Sequence, residues 1–246
     1  MQKNQLSVLK GVAFLVLSLG FAGASFAAAP ATLFHETFQA PLSADLWKIS
    51  PKDAVVSAGE GVLTIQANTA AASENSYAVT FIRSATPQPR LNFAKNTVLI
   101  TLADLDLKGD AADDRRIFHV LITSDKAGDD ASNKIQLRIA GNGNVILAGT
   151  NKDATTPLFA TYYGTAAFPI KTIKLTLSPT GGKLSIQDAG GLNESELAFE
   201  APPAAWESSA PYIRLQTQRN PGSGDTLVTL GGFSVESVPA VVASPK

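Results

Sequence analysis

The sequence predicts an all-β protein, a sandwich of two antiparallel sheets behind a cleavable leader. Three observations predict it. Runs of two-residue alternation recur along the chain, and clusters of turn-forming residues separate them. No segment longer than a turn or two has convincing 3.6-residue periodicity.

The leader comes first. Lys3 and Lys10 give a positive start, and Gly11 to Ala24 then runs uncharged through Val12, Phe14, Leu15, Val16, Leu17, Leu19 and Phe21. Ser25, Ala27, Ala28 and Ala29 follow, interrupted only by Phe26. That order is what signal peptidase reads, with cleavage after Ala27 or Ala29. The apolar run has 14 residues, short of the roughly 20 needed to cross a bilayer. Residues 1–29 are therefore expected to be removed, and the mature chain to be periplasmic or extracellular. It has no further stretch long enough to span a membrane and no cysteine for lipid attachment or disulfides. Its stability must come from burial in its core, which a single domain over 30–238 can supply. Residues 239–246 carry no pattern and are expected to form a flexible tail. Without Lys3 and Lys10, 18 basic residues stand against 21 acidic ones, a net charge of −3. Such a mildly acidic chain, with no basic stripe in its sequence, argues against nucleic acid as a partner.

The strands follow in order. Gly61–Ala67, Lys134–Ile139, Lys171–Leu177 and Tyr212–Gln218 each place aliphatic side chains on one face and polar ones on the other. Turns punctuate them at Ala58–Gly61, Gly141–Asn144, Pro179–Gly182, Gly190-Gly191 and Asn220–Gly224. Residues 202–208 suggest one short helical turn. Many short strands without helices need two packed sheets or a closed barrel, because each sheet has one apolar face to cover.

The opening Leu33-Phe34-His35-Glu36-Thr37-Phe38, followed by Leu42 and Trp47, resembles the first strand and tryptophan of concanavalin A-like lectin/glucanase jelly rolls. Val55-Val56 and then Gly61-Val62-Leu63-Thr64-Ile65 is similar to the strand that follows in those proteins. Pro211–Gln216, a Gly-rich turn and Leu230–Val235 resemble their two closing strands. The likeness spans about residues 32–238. It implies a two-sheet antiparallel jelly roll whose concave sheet forms the ligand groove. The superfamily includes lectins, laminin-G-like modules, family-16 glycoside hydrolases and keto-disaccharide hydrolase-like domains, so fold alone selects no function.

The family-16 hydrolases carry an E-x-D-x-E run with alternate carboxylates facing the groove. The nearest equivalent is Thr101–Leu107, where period two puts Asp104 and Asp106 on one face. A retaining mechanism needs two carboxyl groups about 5 Å apart. This run has no glutamate at either end, and Leu102 stands two before Asp104. Solvated strand-end carboxylates explain the pair equally well. Jelly-roll polysaccharide lyases group Tyr, His and Arg; His119, Arg138, Tyr162 and Tyr163 supply those types without the family motifs. After His35-Glu36 the residue four beyond His35 is Gln39, which breaks the helical zinc motif. Two histidines and no cysteine argue against zinc. Calcium takes carboxylate and carbonyl oxygens; Asp104, Asp106, Asp110, Asp113 and Asp114, or Asp125, Asp129 and Asp130, are candidates. Neither group has regular alternate-oxygen spacing, so solvated loops are the plainer reading.

The polar strand faces carry the binding candidates: Gln136 and Arg138 on one strand, Arg214, Gln216 and Gln218 on another. Their planar donors and acceptors suit sugar hydroxyls and carboxylates. Trp206, Tyr162 and Tyr163 offer stacking faces, whereas Trp47 is expected in the core. A half-solvated sheet alone would produce the same alternation. The sequence thus favours a non-catalytic exported module that binds a polysaccharide, a cell-surface glycan or another surface polymer. A polysaccharide-degrading enzyme, hydrolase or lyase, using Asp104 and Asp106 or His119 with a tyrosine, is the alternative. A structural envelope protein is a third.

Overall fold

The computed structural model describes residues 30–50, 55–67, 78–108, 114–126, 133–150, 159–198, 211–222 and 225–239. The leader 1–29 with its cleavage sites, the turn expected at 202–208 and the tail beyond 239 lie outside them.

The chain forms β1 (Ala31–Glu36), β2 (Trp47–Ser50), β3 (Val55–Gly59), β4 (Val62–Ala67), β5 (Ala78–Ser84) and β6 (Asn96–Lys108). There follow β7 (Arg116–Thr123), β8 (Lys134–Ala140), β9 (Asn144–Thr150), β10 (Phe159–Thr165) and β11 (Ile170–Ser178). Then come β12 (Gly181–Asp188), β13 (Gly191–Ala198), β14 (Tyr212–Arg219), β15 (Thr226–Leu230) and β16 (Gly232–Pro239). The helical element among the described residues is a 3-10 turn at Pro89–Leu91, where the proline ring suits the first position. Among the described residues no helix is long and apolar enough to cross a membrane.

All strand pairs are antiparallel, in two sheets. A seven-stranded sheet runs β10-β9-β8-β7-β14-β5-β2. A nine-stranded sheet runs β13-β12-β11-β6 and then divides. The first part of β6 pairs with β16, which pairs with β1; its last residues pair with β15, which leads to β4 and β3.

The division has a local cause. Val98, Ile100 and Leu102 point into the core, and so do Leu105 and Leu107, so the inward parity slips by one between them. Asp104 adopts φ 51° at the slip, a β-bulge that bends the strand. Gly231, between β15 and β16, donates its N–H to Ala103 O at 2.9 Å. A Cβ there would lie 3.0 Å from the Asp104 Cβ, so a larger residue would press on the bulge and glycine suits the close approach.

Between the sheets lies one apolar core. The inward positions of the expected strands fill it: Leu63 and Ile65, Ile135, Leu137 and Ile139, Ile173, Leu175 and Leu177, Ile213 and Leu215. Trp47 is 2% exposed and stands 4.9 Å from Phe34 and 5.8 Å from Phe233, ring centre to ring centre. Its indole N–H donates to Glu36 Oε1 at 2.9 Å, which satisfies the one polar atom it buries.

Candidate functional site

In an antiparallel sheet, directly paired residues share a face. The outward positions of the seven-stranded sheet therefore line up in rows. One row runs Ser50, Phe81, Gln216, His119, Arg138, Ile146 and Tyr162. The next, two residues along each strand, runs Lys48, Arg83, Arg214, Leu121, Gln136 and Ala148. Gln218 pairs with Ile117 in a flanking row, and Lys134 with Thr123 in another. The five binding candidates Gln136, Arg138, Arg214, Gln216 and Gln218 thus share one face with His119.

This face is sheltered. His119 is 6% exposed, and Arg214 and Gln216 are each 7% exposed. Ile117, Leu121 and Ala148 are also buried, although they belong to no part of the interior cluster. The strand β7 is buried on both sides along its whole length, which explains why Ile117–Ile122 reads as an apolar run broken only by His119.

A polar network fixes the centre. Gln218 Oε1 lies 3.2 Å from His119 Nε2 and 3.4 Å from Gln216 Nε2. The Gln218 amide nitrogen donates to Asn220 Oδ1 at 2.7 Å. An amide oxygen only accepts, so His119 carries its proton on Nε2 and a lone pair on Nδ1. Nδ1 is buried and has no hydrogen-bond partner among the described residues. Burial pushes the imidazole pKa down to about 3, and Arg138, Arg214 and Lys134 push in the same direction against the Gln218 hydrogen bond. The ring is neutral at physiological pH, offering a buried acceptor between cationic side chains.

Two arginines on neighbouring strands complete the face. Arg83 and Arg214 are directly opposite, and each turns diagonally onto an aromatic ring. The Arg214 guanidinium carbon is 3.5 Å from the Phe81 ring centre, and that of Arg83 is 4.9 Å from the Tyr212 centre. Arg83 Nη1 also donates to Ser84 O at 2.9 Å. Stacking of this kind stabilises a cation by roughly 0.5–1 kcal/mol at exposed sites and more when desolvated.

The carboxylate candidates lie elsewhere. Asp104 and Asp106 share a face, as their spacing predicts, but β6 belongs to the nine-stranded sheet and both point away from the core. They stand on the opposite side of the sandwich from His119. Asp106 pairs with Lys108. Asp114 is exposed in the turn before β7, and Asp125 is exposed just after β7. Asp110, Asp113, Asp129, Asp130 and Trp206 fall outside the described residues. Among the described residues no three His, Asp or Glu side chains group as a metal site would require. Tyr162 sits in the His119 row by backbone register, paired with Ile146. On the nine-stranded face, an open depression of about 430 Å³ is lined by Thr176, Ser178, Lys183 and Glu196. It contains no buried polar group comparable to His119.

Arg83, Phe81, Lys48 and Tyr212 escaped the sequence analysis as site residues. In β5 the inward positions are Thr80, Ile82 and Ser84 and the outward ones Val79, Phe81 and Arg83, so polarity does not reveal the face.

Two antiparallel sheets packed around one core give the chain the fold of a concanavalin A-like jelly roll. Solved structures with this fold agree in length as well as topology. An endo-1,3-β-glucanase from Streptomyces sioyaensis has 11% identity, covers 86% of this chain and 97% of its own, and superposes with a TM-score of 0.58. The β-glucanase of Bacillus licheniformis has 11% identity, coverage of 85% and 98%, and a TM-score of 0.55. Lectin I from Ulex europaeus, solved with the methyl glycoside of α-L-fucose, has 10% identity, coverage of 85% and 98%, and a TM-score of 0.59. No family model matches the sequence, and no curated protein matches it.

Proposed function

We propose that this protein is an exported, non-catalytic module that binds a glycan or surface polymer across the outer face of its seven-stranded sheet. The observation that carries the reading is the convergence of Gln136, Arg138, Arg214, Gln216, Gln218 and His119 on that face. Sheltered planar donors next to stacked rings are what sugar recognition needs, because desolvated hydrogen bonds discriminate and flat apolar faces hold the ring. A glycan array with the mature chain tests it. Arg138→Ala should weaken binding at least tenfold without lowering the melting temperature; unchanged affinity would remove this face from the account.

One observation favours a second reading, a polysaccharide-cleaving enzyme. The Nδ1 of neutral His119 carries a lone pair without a partner among the described residues, in a sheltered site. A bound substrate would have to raise the imidazole pKa from about 3 towards neutrality for it to act as a general base. New chain ends released from a polymer by the wild type, and abolished by His119→Gln, would select it. Export itself is tested by fractionation: full-length protein should appear shortened at Ala27 or Ala29 outside the cytoplasm.

A further inference from the structure

Gln216, His119 and Arg138 stand side by side in one outer row, on β14, β7 and β8. They differ in what they leave unused. The Gln216 amide donates to Gln218, and His119 spends its Nε2 on the same Gln218 oxygen. The buried Nδ1 of His119 meets no hydrogen-bond partner among the described residues.

Gln218 decides which ring nitrogen is left over. Its amide nitrogen donates to Asn220 Oδ1 at 2.7 Å, so its oxygen is the end turned to His119 at 3.2 Å. That oxygen only accepts, which places the ring proton on Nε2 and leaves a lone pair on Nδ1. Burial holds the imidazole pKa down to about 3, so the lone pair persists at physiological pH. A buried acceptor with nothing to accept is costly, and native folds keep few of them.

The neighbouring side chain narrows what can satisfy it. Arg138 lies directly opposite His119 and is half-buried, and of the charged groups it acts most strongly on the ring. Directly opposed side chains start about 5 Å apart at Cβ, close enough to share one ligand atom. A guanidinium only donates, so a group between the two must donate to Nδ1 and accept from Arg138. A carboxylate only accepts and leaves Nδ1 unmet. An ammonium only donates and is repelled by Arg138. A hydroxyl does both through one oxygen. Nδ1 is closed to water in the free chain, so the hydroxyl enters as Arg138 gives way on its long flexible stem.

We infer that His119 is the specificity-determining residue of this face: its Nδ1 accepts from one sugar hydroxyl, whose oxygen accepts in turn from Arg138. Gln218 is the positioning residue that keeps Nδ1 free of a proton. The inference rests on the glycan-binding reading above and names the contact that selects the sugar.

The test is histidine-nitrogen NMR of the isotope-labelled mature chain with the tetrasaccharides of laminarin, dextran, xylan and mannan. The chain has two histidines, and His35 is exposed on the other sheet, an internal control. The free protein should show His119 protonated on Nε2. A tetrasaccharide that binds should move the Nδ1 resonance in the direction of hydrogen bonding and leave His35 unmoved. Replacing the contacting hydroxyl by fluorine keeps its size and removes its donor, and should weaken binding at least about tenfold. His119→Asn carries its amide at the Nδ1 position and should keep that discrimination; His119→Gln carries it at Nε2 and should lose it. Gln218→Leu should mix the two ring tautomers and weaken binding.

A tetrasaccharide that binds without moving Nδ1 would overturn this inference and leave the glycan-binding reading standing. So would a proton on Nδ1 in the free protein, or an Nδ1 already hydrogen-bonded there and unchanged by a bound sugar, which would assign it to a water. Binding of none of the four tetrasaccharides, with a blank glycan array, would overturn both.

Discussion

The two outer faces of the sandwich obey the same alternation and differ in almost everything else. On the nine-stranded sheet, Lys183 and Ser185 donate to Glu194, and Lys108 pairs with Asp106, all in contact with water. Exposed pairs of this kind contribute little to stability, and the face needs only to stay soluble. On the seven-stranded sheet His119, Arg214 and Gln216 are screened, the charged residues described on the face are all basic, and the buried Nδ1 of His119 has no hydrogen-bond partner among the described residues. The first face follows the rules of a folding sequence. The second breaks them locally, with a buried ring nitrogen unsatisfied among the described residues, and such breaks are expected at functional sites.

The largest effect is expected where both faces depend on the same interior. Trp47→Ala removes the centre of the Phe34, Trp47 and Phe233 cluster and should cost about 3–5 kcal/mol in denaturant unfolding. A cost under about 1 kcal/mol would show that the core does not tie the sheets together as described.

The next effect separates the faces by pH. The His119 imidazole titrates near 6.5 when unfolded and at about 3 when folded. Between those values the unfolded state binds more protons, so stability falls as the pH drops from 7 to 4. The loss from this group is about 3 kcal/mol, and His119→Gln should remove that part of the acid slope. An identical slope in the variant would mean the ring is solvated.

A smaller loss should follow Gly143→Ala in the turn joining β8 to β9. Gly143 has φ 84°, and a Cβ there would lie 2.1 Å from Ala166 O. Strain and clash together should cost about 1–3 kcal/mol and disturb the Arg138 row more than the Asp106 face. The smallest effect belongs to Asp104→Asn with Asp106→Asn: polymer binding should be unchanged, since both lie on the other sheet. Loss of binding in that variant would reverse the assignment of faces.

Much of this contrast was legible in the sequence, for physical reasons that also set its limits. Strands β4, β8 and β11 bury one face each, and β14 alternates in polarity although both its faces are largely buried, so alternation revealed them, and with them Gln136, Arg138, Arg214, Gln216 and Gln218. The strand between β8 and β14 was not legible, because β7 is buried on both sides and period two disappears. Without β7, nothing in the chain says that residues 138 and 214 come to lie on one face. Asp104 and Asp106 were correctly placed on one face, but the sheet to which that face belongs is a matter of topology. In β5, buried Thr80 and Ser84 reverse the usual polarity. Ser84 Oγ accepts the Ile213 N–H at 3.3 Å, so its burial is satisfied and sequence polarity misleads. That reversal concealed Phe81 and Arg83.

The most direct test of the central claim is amide chemical-shift mapping of the mature protein during titration with an oligosaccharide that binds it on the glycan array. Shifts should concentrate on β5, β7, β8 and β14, around Arg83, His119, Arg138 and Gln216, and leave β11 and β12 unmoved. Shifts centred on Lys174, Lys183 and Glu194 instead would place the ligand on the opposite face and contradict the account.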